Sequence, residues 1–128
     1  GEYVLGHTRE YVGGRIGDVF TVNMTLATTS TAARLGLSAH PSAGFGDPGY
    51  VNRWTLEIYN YGPVPIFLPV GACICQAVFH WMETPERGYS QRAGSGNYCA
   101  TDDVEQLKKN WKPSDMLPKR LKVYKDSE

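Results

Sequence analysis

The stretch Arg53-Trp54-Thr55-Leu56-Glu57-Ile58-Tyr59-Asn60 decides the fold, because apolar and polar residues alternate along it. Every second residue from Trp54 to Ile58 is apolar, whereas the residues between them include Glu57. Successive side chains of an extended chain point to opposite faces, so this period of two predicts a β-strand with one buried face. The glutamate is expected on the other face, where water or a ligand can reach it.

Further segments carry the same signal. The clearest is residues 19–26, where Phe20, Val22, Met24 and Leu26 share one face. Shorter strand candidates are residues 2–5, 66–68 and 72–80. Turns rich in glycine or proline, at residues 13–14, 44–49 and 61–63, separate these segments. Many short strands joined by turns predict a mainly β fold, a distorted antiparallel barrel or sandwich, rather than alternating strands and helices.

Helix is scarce, and two short segments account for it. Residues 31–35 predict a short helix that Ser30 could cap, and residues 102–109 place acids first and lysines last, as the helix dipole favours. Residues 112–128 are highly charged, contain two prolines and lack apolar periodicity, so they are expected to form a flexible tail. We therefore expect a β domain over residues 1–100, followed by a short helix and tail over residues 101–128.

Charge and composition limit the classes of partner. The 128 residues are 41% hydrophobic and 20% charged, which suits one globular domain. Thirteen basic residues balance thirteen acidic ones, so no net field would attract a nucleic-acid polymer. No apolar run approaches the roughly 20 residues needed to cross a bilayer, and no secretion signal opens the chain. We therefore expect a soluble protein with no membrane partner.

The three cysteines, Cys73, Cys75 and Cys99, cannot all pair with one another. An odd number of thiols favours a reducing compartment, so a cytoplasmic location is expected. Cys73 and Cys75 lie in an apolar run and alternate with Ile74, so both should point the same way from a strand. They are expected to be buried and to pack as small hydrophobic side chains.

Two motifs resemble those of a known family. The first is Ser30-Thr31-Ala32-Ala33-Arg34-Leu35-Gly36-Leu37; the second is Ser42-Ala43-Gly44-Phe45-Gly46-Asp47-Pro48-Gly49-Tyr50, followed by Thr55-Leu56-Glu57. They resemble Arg-Ser-Ser-x-x-Arg-x-Gly-Leu, Thr-Ala-Gly-x-Ile-Asp-Pro-Gly-Phe and Thr-Leu-Glu of the dCTP deaminases, in the dUTPase-like superfamily. The likeness extends to Tyr89-Ser90-Gln91, which loosely matches Lys-Tyr-x-x-Gln. It implies a dUTPase-type β-barrel with one or two short helices, assembled as a homotrimer whose active sites combine neighbouring subunits.

The resemblance also implies roles for individual residues. Glu57 is implied as the catalytic carboxylate that deprotonates water and carries protons while a deoxycytidine nucleotide is deaminated. Ser30 and Arg34 are implied to hold the water and the phosphates, and Asp47 to lie by the deoxyribose and help orient water. The other residues implied at the substrate are Thr31, His40, Ala43, Tyr89 and Gln91.

Each of these roles has a simpler alternative when the residue is considered alone. Glu57 could be an exposed glutamate on a half-buried strand, and Asp47 could be an ordinary turn residue before proline. Ser30 and Arg34 could be a helix cap and a surface arginine. His40 suits a structural role as well as a functional one.

The metal expectation follows from a missing motif. Zinc deaminases need His-x-Glu followed by Pro-Cys-x-x-Cys, and neither occurs in this sequence. We therefore expect no protein-bound zinc and no catalytic metal held by protein ligands. Mg²⁺ is expected to arrive bound to the phosphates of the substrate.

The second motif also bears on the product. Family members that stop at dUTP commonly have Ala-His-Arg where this chain has Ala43-Gly44-Phe45. The glycine favours the bifunctional form, which deaminates dCTP and releases pyrophosphate to give dUMP. Two departures weigh against that form, since Thr29 replaces an arginine of the phosphate site and Gly46 replaces an isoleucine. A monofunctional dCTP deaminase, a dUTPase and a non-catalytic nucleotide-binding relative therefore stay open.

Overall fold

Two small antiparallel sheets form the framework of the protein. The computed structural model describes residues 1–14, 22–91, 98–99 and 101–119. The strands are β1 (Tyr3–Gly13), β2 (Val22–Thr28), β3 (Leu37–Ser38), β4 (Phe45–Gly46), β5 (Val51–Asn60) and β6 (Cys75–Trp81). The helices are α1 (Ser30–Arg34) and α2 (Val104–Asn110), with 3-10 turns at Tyr89–Gln91 and Pro113–Met116.

The sheet order places β5 and β2 at the two centres. One sheet has the order β1-β5-β3, the other has the order β4-β2-β6, and all pairings are antiparallel. In the first sheet Leu5 of β1 lies opposite Glu57 of β5, and the register shifts between His7 and Tyr11. The antiparallel pairings confirm the predicted mainly β, antiparallel class. The strands that the structure describes form two open sheets and do not close into a barrel.

The core draws its side chains from both sheets. Trp54 and Leu56 of β5 are buried with Met24 and Leu26 of β2. The residues between them on β5, including Glu57, are only partly buried, as the alternating pattern predicts. Burial of one face of β5 therefore fixes which side chains remain available on the other face.

Most predicted strands are present, although their limits differ. β5 contains the whole predicted stretch, and β2 confirms residues 22–26 of the predicted 19–26, of which residues 19–21 lie outside the described part. The strand expected at residues 66–68 is wrong, because that segment is irregular. Prolines at 65 and 69 bracket it, and proline offers no N–H for a ladder. The one expected at residues 72–80 begins only at Cys75.

Both helices are confirmed, with one correction at the cap of α1. Thr29, not Ser30, is the N-cap, and its hydroxyl accepts a hydrogen bond from the Ala32 N–H at 3.5 Å. The residue that replaces the family arginine thus has a local structural role. The segment expected to be a flexible tail begins with the 3-10 turn Pro113–Met116, whereas residues 120–128 lie outside the described part.

The cysteine prediction is only partly correct. Cys73 is exposed and precedes β6, Cys75 is partly buried, and Cys99 is buried. The chain is irregular up to Ile74 and the strand begins at Cys75, so Cys73 and Cys75 do not share a strand face. Among the helices of the described residues, none is long and apolar enough to cross a membrane.

Candidate functional site

A cavity of about 400 Å³ opens beside the polar face of β5. Its wall combines residues from β1, β5, the loop around β4 and the region after the last strand. The lining residues are Tyr3, Leu5, Ala43, Phe45, Asp47, Tyr50, Trp54, Thr55, Glu57, Tyr89, Tyr98, Met116 and Pro118. Two carboxylates in a wall with six aromatic side chains give the cavity both polar anchors and flat apolar surface, which suits a ring-containing ligand.

Glu57 is held in place by a neighbouring hydroxyl. It lies on the partly buried face of β5, and its Oε2 accepts a hydrogen bond from the Ser42 Oγ at 3.0 Å. The contact reaches across from the loop before β4 to the centre of the first sheet. A carboxylate that is partly buried, fixed by a donor and open to a cavity can exchange protons with a bound molecule.

His40 lies behind the loop, packed against Gly44. A Cβ atom on Gly44 would lie 2.5 Å from both Nδ1 and Cε1 of the His40 ring, so no larger residue fits there without a shift. Burial lowers the pKa of His40 below its usual 6.5, although the charge of Glu57 and a hydrogen bond with the Leu26 carbonyl oppose the shift. Its Nε2 is buried and has no hydrogen-bond partner among the described residues.

Asp47 belongs to a wall of packed aromatic rings. Its carbonyl oxygen accepts a hydrogen bond from the Tyr50 N–H at 2.9 Å, which closes the turn after β4. The Tyr50 ring packs edge-to-face against Trp54 at 5.4 Å and against Tyr89 at 5.2 Å. Burial raises the pKa of Tyr50 and, together with the nearby charge of Asp47, that of Tyr89. Both phenols therefore remain neutral hydrogen-bonding groups at ordinary pH.

Gly46 fits this wall for a reason that the sequence did not reveal. A Cβ atom at Gly46 would lie 2.5 Å from the Cη2 atom of Trp54. The indole ring fills the space beside Gly46, which is buried and paired with Met24 in the second sheet. The departure from isoleucine is therefore matched by the bulk of Trp54 and does not leave a void.

The structure brings together four of the residues singled out from the sequence. Ala43, Asp47, Glu57 and Tyr89 all line the cavity. Those that are not among its lining residues are Ser30, Thr31, Arg34, His40 and Gln91. The first three are exposed on α1, His40 lies behind Gly44, and the Gln91 side chain accepts a hydrogen bond from the Gly88 N–H at 3.2 Å.

Several lining residues were not singled out from the sequence. Thr55 could have been found from the alternation of β5, because it shares a face with Glu57. Tyr50 ends the second motif but was given no role. Ser42 begins that motif and was given none either; it does not line the cavity but donates a hydrogen bond to Glu57. Met116 and Pro118 carried no signal, since nothing in their segment predicts that it folds back to this cavity. Within the described part of the chain, no group of three or more His, Cys, Asp and Glu side chains could hold a metal ion.

Comparison with known proteins identifies the family of the chain. The family described as dCTP deaminase-like matches residues 1–82. A protein of Methanopyrus kandleri named "dCTP deaminase, dUMP-forming" is 40% identical over 95 residues, which cover 73% of this chain and 48% of that protein. A protein of Dictyoglomus thermophilum with the same name is 38% identical over 96 residues, covering 74% of this chain and 47% of that protein.

Both relatives are about twice as long as the region they share with this chain. The chain spans about half the length of the curated relatives it matches. The family match includes α1, the loop around β4 and the whole of β5, and it therefore contains Glu57, Ser42 and Asp47. The chain belongs to the dCTP deaminase-like family.

Proposed function

We propose that the protein containing this chain deaminates dCTP by hydrolysis and releases pyrophosphate to give dUMP. The observation that carries this proposal is the position of Glu57, which lines the cavity with Asp47 while Ser42 fixes its Oε2 at 3.0 Å. The relatives from Methanopyrus kandleri and Dictyoglomus thermophilum, named as dUMP-forming dCTP deaminases, support the same reaction.

In the proposed mechanism Glu57 acts as the proton shuttle. Its carboxylate takes a proton from water as the water attacks C4 of the cytosine ring, and passes this proton to the ring nitrogen N3. It then takes the proton of the new hydroxyl at C4 and passes it to the amino group, which leaves as ammonia while the C4 carbonyl forms. The hydroxyl of Ser42 keeps one carboxylate oxygen oriented through these transfers. Asp47 lies by the deoxyribose and helps to orient the second water, which attacks the α-phosphate.

The remaining proposed contacts hold the substrate. Ala43 and Tyr89 line the cavity and contact the nucleoside, while His40 supports the wall behind Gly44. Ser30, Thr31 and Arg34 bind phosphate and water, and Gln91 completes the substrate-binding set. No protein cage for Mg²⁺ is needed in this scheme, since the ion would arrive bound to the substrate phosphates and would supply positive charge to the leaving pyrophosphate.

Ser30, Thr31 and Arg34 act, in this proposal, on the cavity of another copy of the chain. They are exposed and are not among the residues that line the cavity of their own chain. We propose that three copies of the chain assemble as a homotrimer, in which each copy has a dUTPase-type barrel. The second sheet supports an interface, because β6 exposes the apolar side chains of Phe79 and Trp81, and Phe67 nearby in sequence is 91% exposed.

The structure bears on the proposed product through Gly44. The space that a side chain would need there is occupied by the His40 ring, so with a residue larger than glycine either the ring or the loop that leads to Asp47 must move. Glycine at this position therefore preserves the placement of Asp47, which the second hydrolysis requires. The glycine therefore favours dUMP over dUTP as the product.

Product analysis tests the proposal. Purified protein is incubated with dCTP, dCMP or dUTP in the presence of Mg²⁺, and nucleotides and pyrophosphate are separated by chromatography. We expect dCTP to give dUMP and pyrophosphate together, without accumulation of dUTP. Accumulating dUTP without pyrophosphate would indicate the monofunctional enzyme, conversion of dUTP alone would indicate a dUTPase, and no conversion would indicate a non-catalytic relative.

A further inference from the structure

Part of the cavity wall comes from a segment outside the family match. Residues 111–119, here called the C-terminal wall, contribute Met116 and Pro118 to the same cavity that Asp47 and Glu57 line. The family match ends at residue 82, so it does not include Met116 or Pro118. The segment can shape the cavity only if contacts with the rest of the chain hold it in place.

Ring contacts hold the beginning of the C-terminal wall against the first sheet. The Trp111 ring packs edge-to-face on the ring of His7, with centroids 4.6 Å apart. The guanidinium carbon of Arg53 lies 5.0 Å from the centre of the Trp111 ring and 5.1 Å from that of Tyr11. Arg53 belongs to β5, so the contact links the segment directly to the strand that carries Glu57.

Hydrogen bonds hold the end of the C-terminal wall at Lys119. The Lys119 N–H donates to the Tyr98 hydroxyl at 3.1 Å, and the Lys119 ammonium lies 5.2 Å from the Tyr98 ring centre. The Tyr98 carbonyl accepts a hydrogen bond from the buried Asn52 side chain at 2.7 Å. Between the two ends, the Asp115 carboxylate accepts a hydrogen bond from the Lys112 N–H at 2.8 Å. The segment is thus fixed to β5 at both ends.

The chemistry of the two lining side chains limits what they can contact. Met116 and Pro118 are uncharged and apolar, so they add no attraction for phosphate, whereas a base or a deoxyribose presents surface that packs on them. We propose that Met116 and Pro118 contact the nucleoside part of the substrate and set how tightly it binds, independently of the number of phosphates. The inference rests on the proposed function, since it takes the ligand to be a deoxycytidine nucleotide.

Calorimetric titration with dCMP and dCTP tests the inference, in a Glu57→Gln background that slows deamination at least about a hundredfold. Met116→Ala should weaken the binding of both nucleotides by about the same factor, on the order of tenfold, because apolar contact with the nucleoside is lost. Leu117→Ala is the matched control, since Leu117 is 51% exposed and is not among the cavity-lining residues. Its affinities should stay within about twofold of the background.

A second variant tests the attachment of the segment. Trp111→Ala removes the contacts with His7 and Arg53, and the folded variant should also lose affinity for both nucleotides equally. Unchanged binding in Met116→Ala, a loss confined to dCTP, or an equal loss in Leu117→Ala would overturn the inference. Failure of the unmodified chain to bind or convert either nucleotide would instead contradict the proposed function.

Discussion

The strand β5 and the helix α1 carry the two halves of the candidate site, and their surroundings differ. Glu57 of β5 is partly buried, hydrogen-bonded to Ser42 and open to a cavity. Ser30 and Arg34 of α1 are exposed, and neither lines that cavity. The half proposed to react therefore lies at a cavity within one chain, whereas the half proposed to bind phosphate is not among the residues that line that cavity.

The difference has a physical origin in the two elements. β5 is the central strand of its sheet, so its polar face is fixed by the burial of Trp54 and Leu56 on the other side. α1 has five residues and buries only Ala32, so its remaining side chains face outward. A short helix of this kind serves a site best when a second molecule covers it, which is the arrangement that we propose.

The largest effect is expected on the β5 side. Glu57→Gln keeps the size and hydrogen-bonding shape of the side chain but cannot cycle a proton, so deamination of dCTP should fall at least about a hundredfold. The release of ammonia measures this rate, and circular dichroism checks the fold. A folded variant that keeps more than about a tenth of the parent rate would show that Glu57 is not the proton shuttle.

On the α1 side, Arg34→Lys should have a smaller effect. Lysine preserves the charge but loses the two parallel hydrogen bonds that a guanidinium makes to phosphate, so dCTP should bind about tenfold more weakly. Calorimetry with dCTP and with deoxycytidine separates the two parts of the ligand, because the nucleoside should be unaffected. Equal affinity of the variant and the parent for dCTP would leave Arg34 as a surface residue.

The hydroxyl beside Glu57 should contribute less again. Ser42→Ala removes an exposed hydrogen bond, so kcat should fall about threefold while KM changes little. Ser42→Thr keeps a hydroxyl at the same place and should restore most of the rate. A variant series in which alanine and threonine behave alike would contradict a positioning role for the Ser42 hydroxyl.

The smallest effect concerns stability and pH through His40. Burial holds its folded pKa below the ordinary 6.5, so the neutral form is favoured in the fold. The stabilising contribution is present above that value and is lost as the pH falls through the lowered folded pKa. Between about pH 7.5 and 5, the unfolding midpoint should fall less in His40→Gln than in the parent, as measured by thermal denaturation. Identical pH dependences would show that His40 does not contribute.

The sequence predicted the parts of this site that depend on local patterns. The alternation around Glu57 correctly separated a buried face from an accessible one. Asp47 of the second motif lines the same cavity as Glu57, while its role there stays a prediction. The N-cap of α1 was predicted at Ser30 but is Thr29, one residue earlier, because both residues carry a hydroxyl that can cap a helix. The strand expected at residues 66–68 failed because its flanking prolines outweigh its short apolar run.

Contacts between residues far apart in the chain could not be predicted from the sequence. The Ser42–Glu57 hydrogen bond spans 15 residues, and nothing local to Ser42 indicates its partner. Gly46 counted against the bifunctional form because the sequence does not show that the Trp54 ring fills the space beside it. The placement of Met116 depends on ring contacts of Trp111, which no periodic pattern encodes.

Complementation between two inactive variants tests the central claim most directly. Glu57→Gln and Arg34→Ala are purified separately, and are also co-expressed and purified as mixed assemblies through different affinity tags. If one copy supplies Glu57 and the next supplies Arg34, every mixed trimer selected through both tags contains one intact site in three, and dCTP deamination should return to about a third of the parent rate. Mixed assemblies no more active than the separate variants would contradict a site shared between copies of the chain.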